Sequence, residues 1–157
     1  MIDQSRRIYF SPTDQTTEAF LAFVGTATQK IRIADYSFNM APLVDLLLAK
    51  FKARLDVKLV LDKSQAAGAT ERPVVEELRQ AGVPLMVGTS SMHKIMHSKY
   101  CILDDQSVEY GSWNMTNAAS SESNFLVFES NPDMAGVFNA NWEAVWAWIA
   151  ANEPQMP

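Results

Sequence analysis

The stretch from His97 to Asn114, HSKYCILDDQSVEYGSWN, carries more information than any other part of this chain. It holds His97, then Lys99 two positions on, then Asp104, and ends in a Gly111-Ser112-x-Asn114 turn. An imidazole is a usable nucleophile and proton donor near neutral pH. An ammonium is a compact charge suited to a phosphate oxygen. Serine and asparagine add neutral donors for the same anion. This set of residue types is what attack on a phosphodiester requires.

The same stretch predicts a hairpin. Ser98 to Leu103 reads as a strand, Asp104-Asp105-Gln106 as a tight turn, and Ser107 to Tyr110 as the returning strand. Residues two apart on a strand point the same way. His97 and Lys99 therefore share a face, as do Ser112 and Asn114, and the two pairs are expected to converge on one pocket at the end of the sheet. Asp104 stands at odd spacing from His97, so its expected role is structural, bracing the turn or pairing with a buried basic group. A nucleophilic imidazole also needs a partner on its second nitrogen to fix its tautomer. Glu122, in the run Ser-Ser-Glu-Ser-Asn before the next strand, is the candidate. Glu109 competes, but its position predicts the solvent side of a short strand.

Outward from this region the chain alternates β-rich and helical runs. Arg7 to Phe10 reads as a strand, and Pro12 opens a helix to about Thr26 with Ala19, Phe20, Phe23 and Val24 on one side. Ile31 to Ser37 is a strand, Pro42 to Arg54 an amphipathic helix, and Val57 to Leu61 an apolar strand of the buried parallel type. A helix from Pro73 to Gln80 stops at Ala81-Gly82, and Val83 to Val87 is another strand. Asn124 to Glu129 and a final helix from Pro132 to Ala150 follow. Phe138, Trp142, Val145, Trp146 and Ile149 recur along that helix at helical spacing, as a core or partner face. These βαβ units predict an α/β fold: a mixed, mostly parallel sheet flanked by helices on both faces.

The bulk numbers agree with one domain over 1–157, large enough for a real core. No apolar run is long enough to span a bilayer, so no stable membrane insertion is expected. The start is polar and carries Arg6 and Arg7, unlike a secretory leader. A leader already removed would leave the same chain, so a periplasmic, secreted or cytoplasmic location stays open. The net charge of −5 argues mildly against a general polyanion binder. Its distribution softens this, because residues 50–100 hold 9 of the 13 Lys and Arg, whereas residues 101–157 hold 8 acids and neither Lys nor Arg. Lys63, Arg72 and Lys94 are candidate backbone contacts, and His93 with Lys94 is expected at the rim of the pocket. The lone Cys101 excludes an intrachain disulfide. His93 and His97 form an H-x3-H pair without a third ligand nearby, so neither a metal nor another cofactor is expected. Asn114-Met115-Thr116 fits a glycosylation sequon, discounted because Asn114 belongs to the expected site.

His97, Lys99 and Asp104, with Gly111, Ser112 and Asn114 downstream, resemble the HKD signature of the phospholipase D superfamily. The order of elements agrees with that family over most of residues 7–150. The single motif, the run Tyr36-Ser37-Phe38 and the Trp-rich last helix are most similar to the small bacterial endonucleases of the Nuc type. The segment between Asn114 and Glu122 is shorter than in that family. The resemblance implies an α-β-α sandwich and metal-independent covalent catalysis. One imidazole attacks phosphorus, and a second protonates the leaving oxygen and then activates water. Only His97 has Lys two positions on, since His93 is followed by Lys94. The second imidazole must then come from another copy, which implies a two-fold homodimer with the site across its axis. Lys99, Ser112 and Asn114 of both copies would hold the non-bridging oxygens. Nucleic acid is the expected substrate. A lipid phosphodiester is the alternative, for which Met92, Ile95 and Met96 offer an apolar loop beside the site. A non-catalytic nucleic-acid-binding module is a third reading, opposed by the complete set of His97, Lys99, Ser112 and Asn114.

Overall fold

A computed structural model describes residues 5–155. The domain expected over 1–157 also includes residues 1–4 and 156–157, which lie outside the described residues. Seven strands form one sheet: β1 (Arg6–Ser11), β2 (Lys30–Asp35), β3 (Asp56–Asp62), β4 (Leu85–Gly88), β5 (Lys99–Leu103), β6 (Ser107–Gly111) and β7 (Asn124–Ser130). Five helices accompany them: α1 (Thr16–Gly25), α2 (Ala41–Lys52), α3 (Lys63–Ala66), α4 (Arg72–Gln80) and α5 (Pro132–Asn152). The strand order is β1-β7-β6-β5-β2-β3-β4.

Helices cover both faces, as the α/β reading requires. On one face Phe20, Val24, Leu43, Leu47 and Leu78 from α1, α2 and α4 pack on Ile31, Ile33, Leu59, Cys101 and Leu126. On the other, Ala135, Trp142 and Ile149 of α5 pack on Ala34, Val60, Tyr100, Ile102 and Val108. The aromatic stripe of α5 is thus largely core, and the buried Trp142 indole donates to Ile33 O at 2.8 Å. No helix among the described residues is long and apolar enough to cross a membrane.

One part of the expectation is corrected. The sheet is mixed, but its pairings among the described residues are mostly antiparallel. Only β2–β3 and β3–β4 are parallel. The β1–β7, β7–β6, β6–β5 and β5–β2 pairs run antiparallel. The reason lies in the connections. A parallel neighbour needs a long crossover, which only α2 and the α3–α4 segment supply. The three-residue turn at Asp104–Gln106 can join only antiparallel strands. A second correction concerns α1, which begins at Thr16 rather than Pro12. Asp14 closes a local turn first: its carboxylate accepts from Phe10 N at 2.7 Å and its own N–H donates to Phe10 O at 2.8 Å. The short α3 and a 3-10 turn at Ala119–Ser121 carry too few residues to show a period.

Candidate active site

The sheet edge where β2, β3 and β6 end and β5 and β7 begin gathers most of the candidate residues. Lys99 opens β5 directly opposite Asp35, the last residue of β2. His97 lies just before β5, exposed, in an irregular segment. Its ring meets Tyr36 in a T-shaped contact at 4.6 Å. The Lys99 ammonium stands 5.1 Å from the centre of the same Tyr36 ring and donates to His97 O at 2.7 Å. His97 and Lys99 therefore do share one face, built around Tyr36.

Buried carboxylates hold this arrangement. Asp62, closing β3, accepts Met96 N at 2.8 Å, which fixes the residue before His97. Its other oxygen caps α3 through Ser64 N at 2.9 Å and Gln65 N at 3.2 Å. Gln65 then donates to the Tyr36 hydroxyl at 3.0 Å. Asp35 accepts Met115 N at 2.7 Å, and Met115 O accepts Asn39 N and Met40 N at 3.1 Å each. This clamp sets Asn114 beside the end of β2. Burial pushes the Asp35 carboxyl well above the ordinary range, opposed by the Met115 hydrogen bond and by Lys99. Burial in turn lowers the Lys99 ammonium, with Asp35 pulling the other way. Glu71 accepts Phe38 N at 2.9 Å and lies 3.5 Å from the Ser37 hydroxyl. Burial raises its carboxyl to about 7.

The Gly-Ser-x-Asn turn is built by close approach. A Cβ at Gly111 would lie 2.2 Å from Phe125 O, so β7 can pass only a glycine there. The Ser112 hydroxyl accepts Phe125 N and donates to Asn124 Oδ1, both at 3.1 Å. Trp113 turns inward against Phe20, with ring centres 5.1 Å apart, which leaves Ser112 and Asn114 on the opposite side. Asn114 Oδ1 is buried and has no hydrogen-bond partner among the described residues. Asp104 stands at the far end of the hairpin. Its carboxylate accepts Thr28 N at 2.9 Å, Gln29 N at 2.8 Å and Lys30 N at 2.7 Å.

The remaining candidates make no hydrogen bond to His97 among the described residues, although Glu122 is joined through Asn124 to Ser112. Glu122 is exposed and meets Asn124 Nδ2 at 3.5 Å. Glu109 is not on a solvent side but fully buried, with neither carboxylate oxygen partnered among the described residues. Val108 packs beneath α5, so the alternate position must enter the opposite core, beside Cys101. Burial pushes Glu109 well above the ordinary range, helped by the charge of Asp35. Lys63 pairs with Glu153 at 2.9 Å and Arg72 reaches Glu76 at 4.0 Å. Both line a different groove from the cavity that His97 borders, together with Arg79, and Glu153 links Lys63 to that cavity by accepting the Thr89 hydroxyl at 2.6 Å. His93 and Lys94 are exposed in the segment that leads to His97, and His93 packs on Trp148 at 5.5 Å. No group of three or more His, Cys, Asp or Glu among the described residues is arranged to hold a metal. Sequence reasoning missed Asp35, Asp62, Gln65 and Glu71. The signal for two of them was present: Asp35 and Asp62 are the carboxylates that close the apolar runs of β2 and β3.

A family model described as the cardiolipin synthase, PLD-like domain matches residues 20–146. The chain is similar to the mitochondrial cardiolipin hydrolase of Chlamydomonas reinhardtii, at 26% identity over 138 residues, 87% of this chain and 60% of that protein. It is also similar to a phospholipase D of Rickettsia bellii, at 27% identity over 135 residues, 85% of this chain and 65% of that one. The chain thus spans under two thirds of the length of these relatives. Among solved structures it is similar to a phospholipase D family member, Nuc from Salmonella typhimurium. That match has a TM-score of 0.84 and 29% identity, covering 92% of this chain and 95% of that one.

Proposed function

The chain belongs to the phospholipase D-like family, and from that membership we propose that it is a phosphodiesterase, an endonuclease that hydrolyses DNA or RNA without a metal. The observation that carries this reading is an exposed His97 ring sharing Tyr36 with the Lys99 ammonium. A nucleophile and a cation on one ring are what an attacked phosphodiester needs on its approach side. In this reading the His97 imidazole bonds to phosphorus as the bond to the leaving oxygen breaks. The imidazolium of a second copy's His97 gives that oxygen its proton. The same ring, now neutral, takes a proton from water, whose oxygen attacks phosphorus and releases His97. Lys99, Ser112 and Asn114 steady the non-bridging oxygens. Glu122 is assigned the tautomer of His97 in the assembled dimer, since no hydrogen bond joins the two among the described residues of one chain. The one HxK unit in the sequence is the reason for a homodimer.

A lipid phosphodiester is the second reading. The lipid names of two relatives favour it, as do the exposed Met92 and Ile95 in the segment before His97, whereas Met96 is buried in the core rather than part of an apolar loop. The test is to incubate the protein with plasmid, single-stranded DNA, RNA and cardiolipin vesicles, with and without EDTA. Nucleic acid cut in EDTA, and not by His97→Ala, is the expected result. Hydrolysis of the vesicles alone would transfer the proposal to lipid.

A further inference from the structure

Two grooves meet at Ser98 and Asn141, either side of the segment that carries His97 and Lys99. One runs past Lys99, Gly111 and Phe125. The other is a cavity of about 590 Å³ whose wall beside His97 is made by Ile95, Met96, Val145 and Trp148. This size and mix of apolar wall with a few polar groups suits a small organic group. The Trp148 indole is half-buried and steadied by the His93 ring. Asn141, facing both grooves from α5, has its amide oriented: the Tyr100 hydroxyl donates to Oδ1 at 2.8 Å. Its Nδ2 donates to no protein group among the described residues.

An acyl chain would use the apolar wall and leave that donor idle. A planar heteroaromatic ring uses both, its face on the indole and its edge acceptors on the amide. Lys99, in the first groove next to the shared Ser98, matches the charge of the phosphate that joins such rings. We propose that Trp148 and Asn141 form a subsite for the nucleobase next to the attacked phosphate. The base stacks on Trp148 and is held at its edge by Asn141. The inference rests on the nucleolytic reading and deepens it: a base must be unpaired to enter, so the substrate is single-stranded.

The test compares a short single-stranded oligonucleotide with an abasic strand of the same length. Wild type is expected to show a KM for the abasic strand higher by roughly tenfold, the scale of one stacking contact. In Trp148→Ala the two strands should have the same KM, and Trp148→Phe should restore part of the difference. Asn141→Ala should narrow the difference by raising the KM of the normal strand. A Trp148→Ala protein that still discriminates as wild type does would overturn the subsite while cleavage itself stands. So would a loss confined to hydrolysis of cardiolipin vesicles, which would give the cavity to lipid. Wild type that cuts plasmid but neither strand would also overturn the subsite, whereas failure to cut any nucleic acid would overturn the nucleolytic reading instead.

Discussion

At Gly111 a single missing side chain decides where the Gly-Ser-x-Asn turn can sit. β7 passes within 2.2 Å of where a Cβ would be, and backbone cannot yield as a flexible side chain does. Gly111→Ala should cost about 2–3 kcal/mol in urea unfolding and displace Ser112, lowering activity as well. An unchanged unfolding midpoint would contradict the close approach. Glu71 gives a pH signature. Its carboxyl titrates at about 7 in the fold against an ordinary value of 4.5, so the folded chain holds the proton more tightly. Stability contributed by that proton is present below about 4.5 and is lost as pH rises through 7. Glu71→Gln, which keeps an acceptor for Phe38, should flatten this fall in thermal melts between those pH values. His97 and Lys99 were legible in the sequence because the motif states chemistry residue by residue. Glu109 was not, because its burial depends on which neighbours cover each face, and a single strand does not say that.

At the level of elements, the carboxylates that close β2 and β3 do the positioning. Asp62 joins the N-terminus of α3 to the segment that presents His97. Asp62→Ala should lose about 1–2 kcal/mol from the cap alone and leave Met96 N unpaired in a buried place. Activity should fall beyond what the stability loss explains, checked by kcat well below the melting range. Full kcat there would show that the His97 segment does not depend on this tie. The hairpin, α2, α4 and α5 were legible from period and turn residues such as Asp104-Asp105 and Ala81-Gly82. The pairing directions were not, since β5 inserts beside β2 after a ten-residue excursion from β4. Periodicity within each strand carries no record of that insertion.

For the whole molecule, a site with two His97 rings requires two copies of the chain. Light scattering at assay concentrations should give twice the chain mass, and activity per chain should drop on dilution below the dissociation constant. A monomer with full activity would remove the shared site. DNA cleavage should also weaken with added salt, as phosphate contacts release counterions. The measurement that reaches the centre of the account is a covalent trap. Substrate labelled with 32P is mixed with protein in EDTA, and the reaction is stopped in denaturant during turnover. The account predicts label bound to the chain through an acid-labile bond, absent from His97→Ala. Turnover in EDTA with no label on the chain, or equal turnover by His97→Ala, would contradict it.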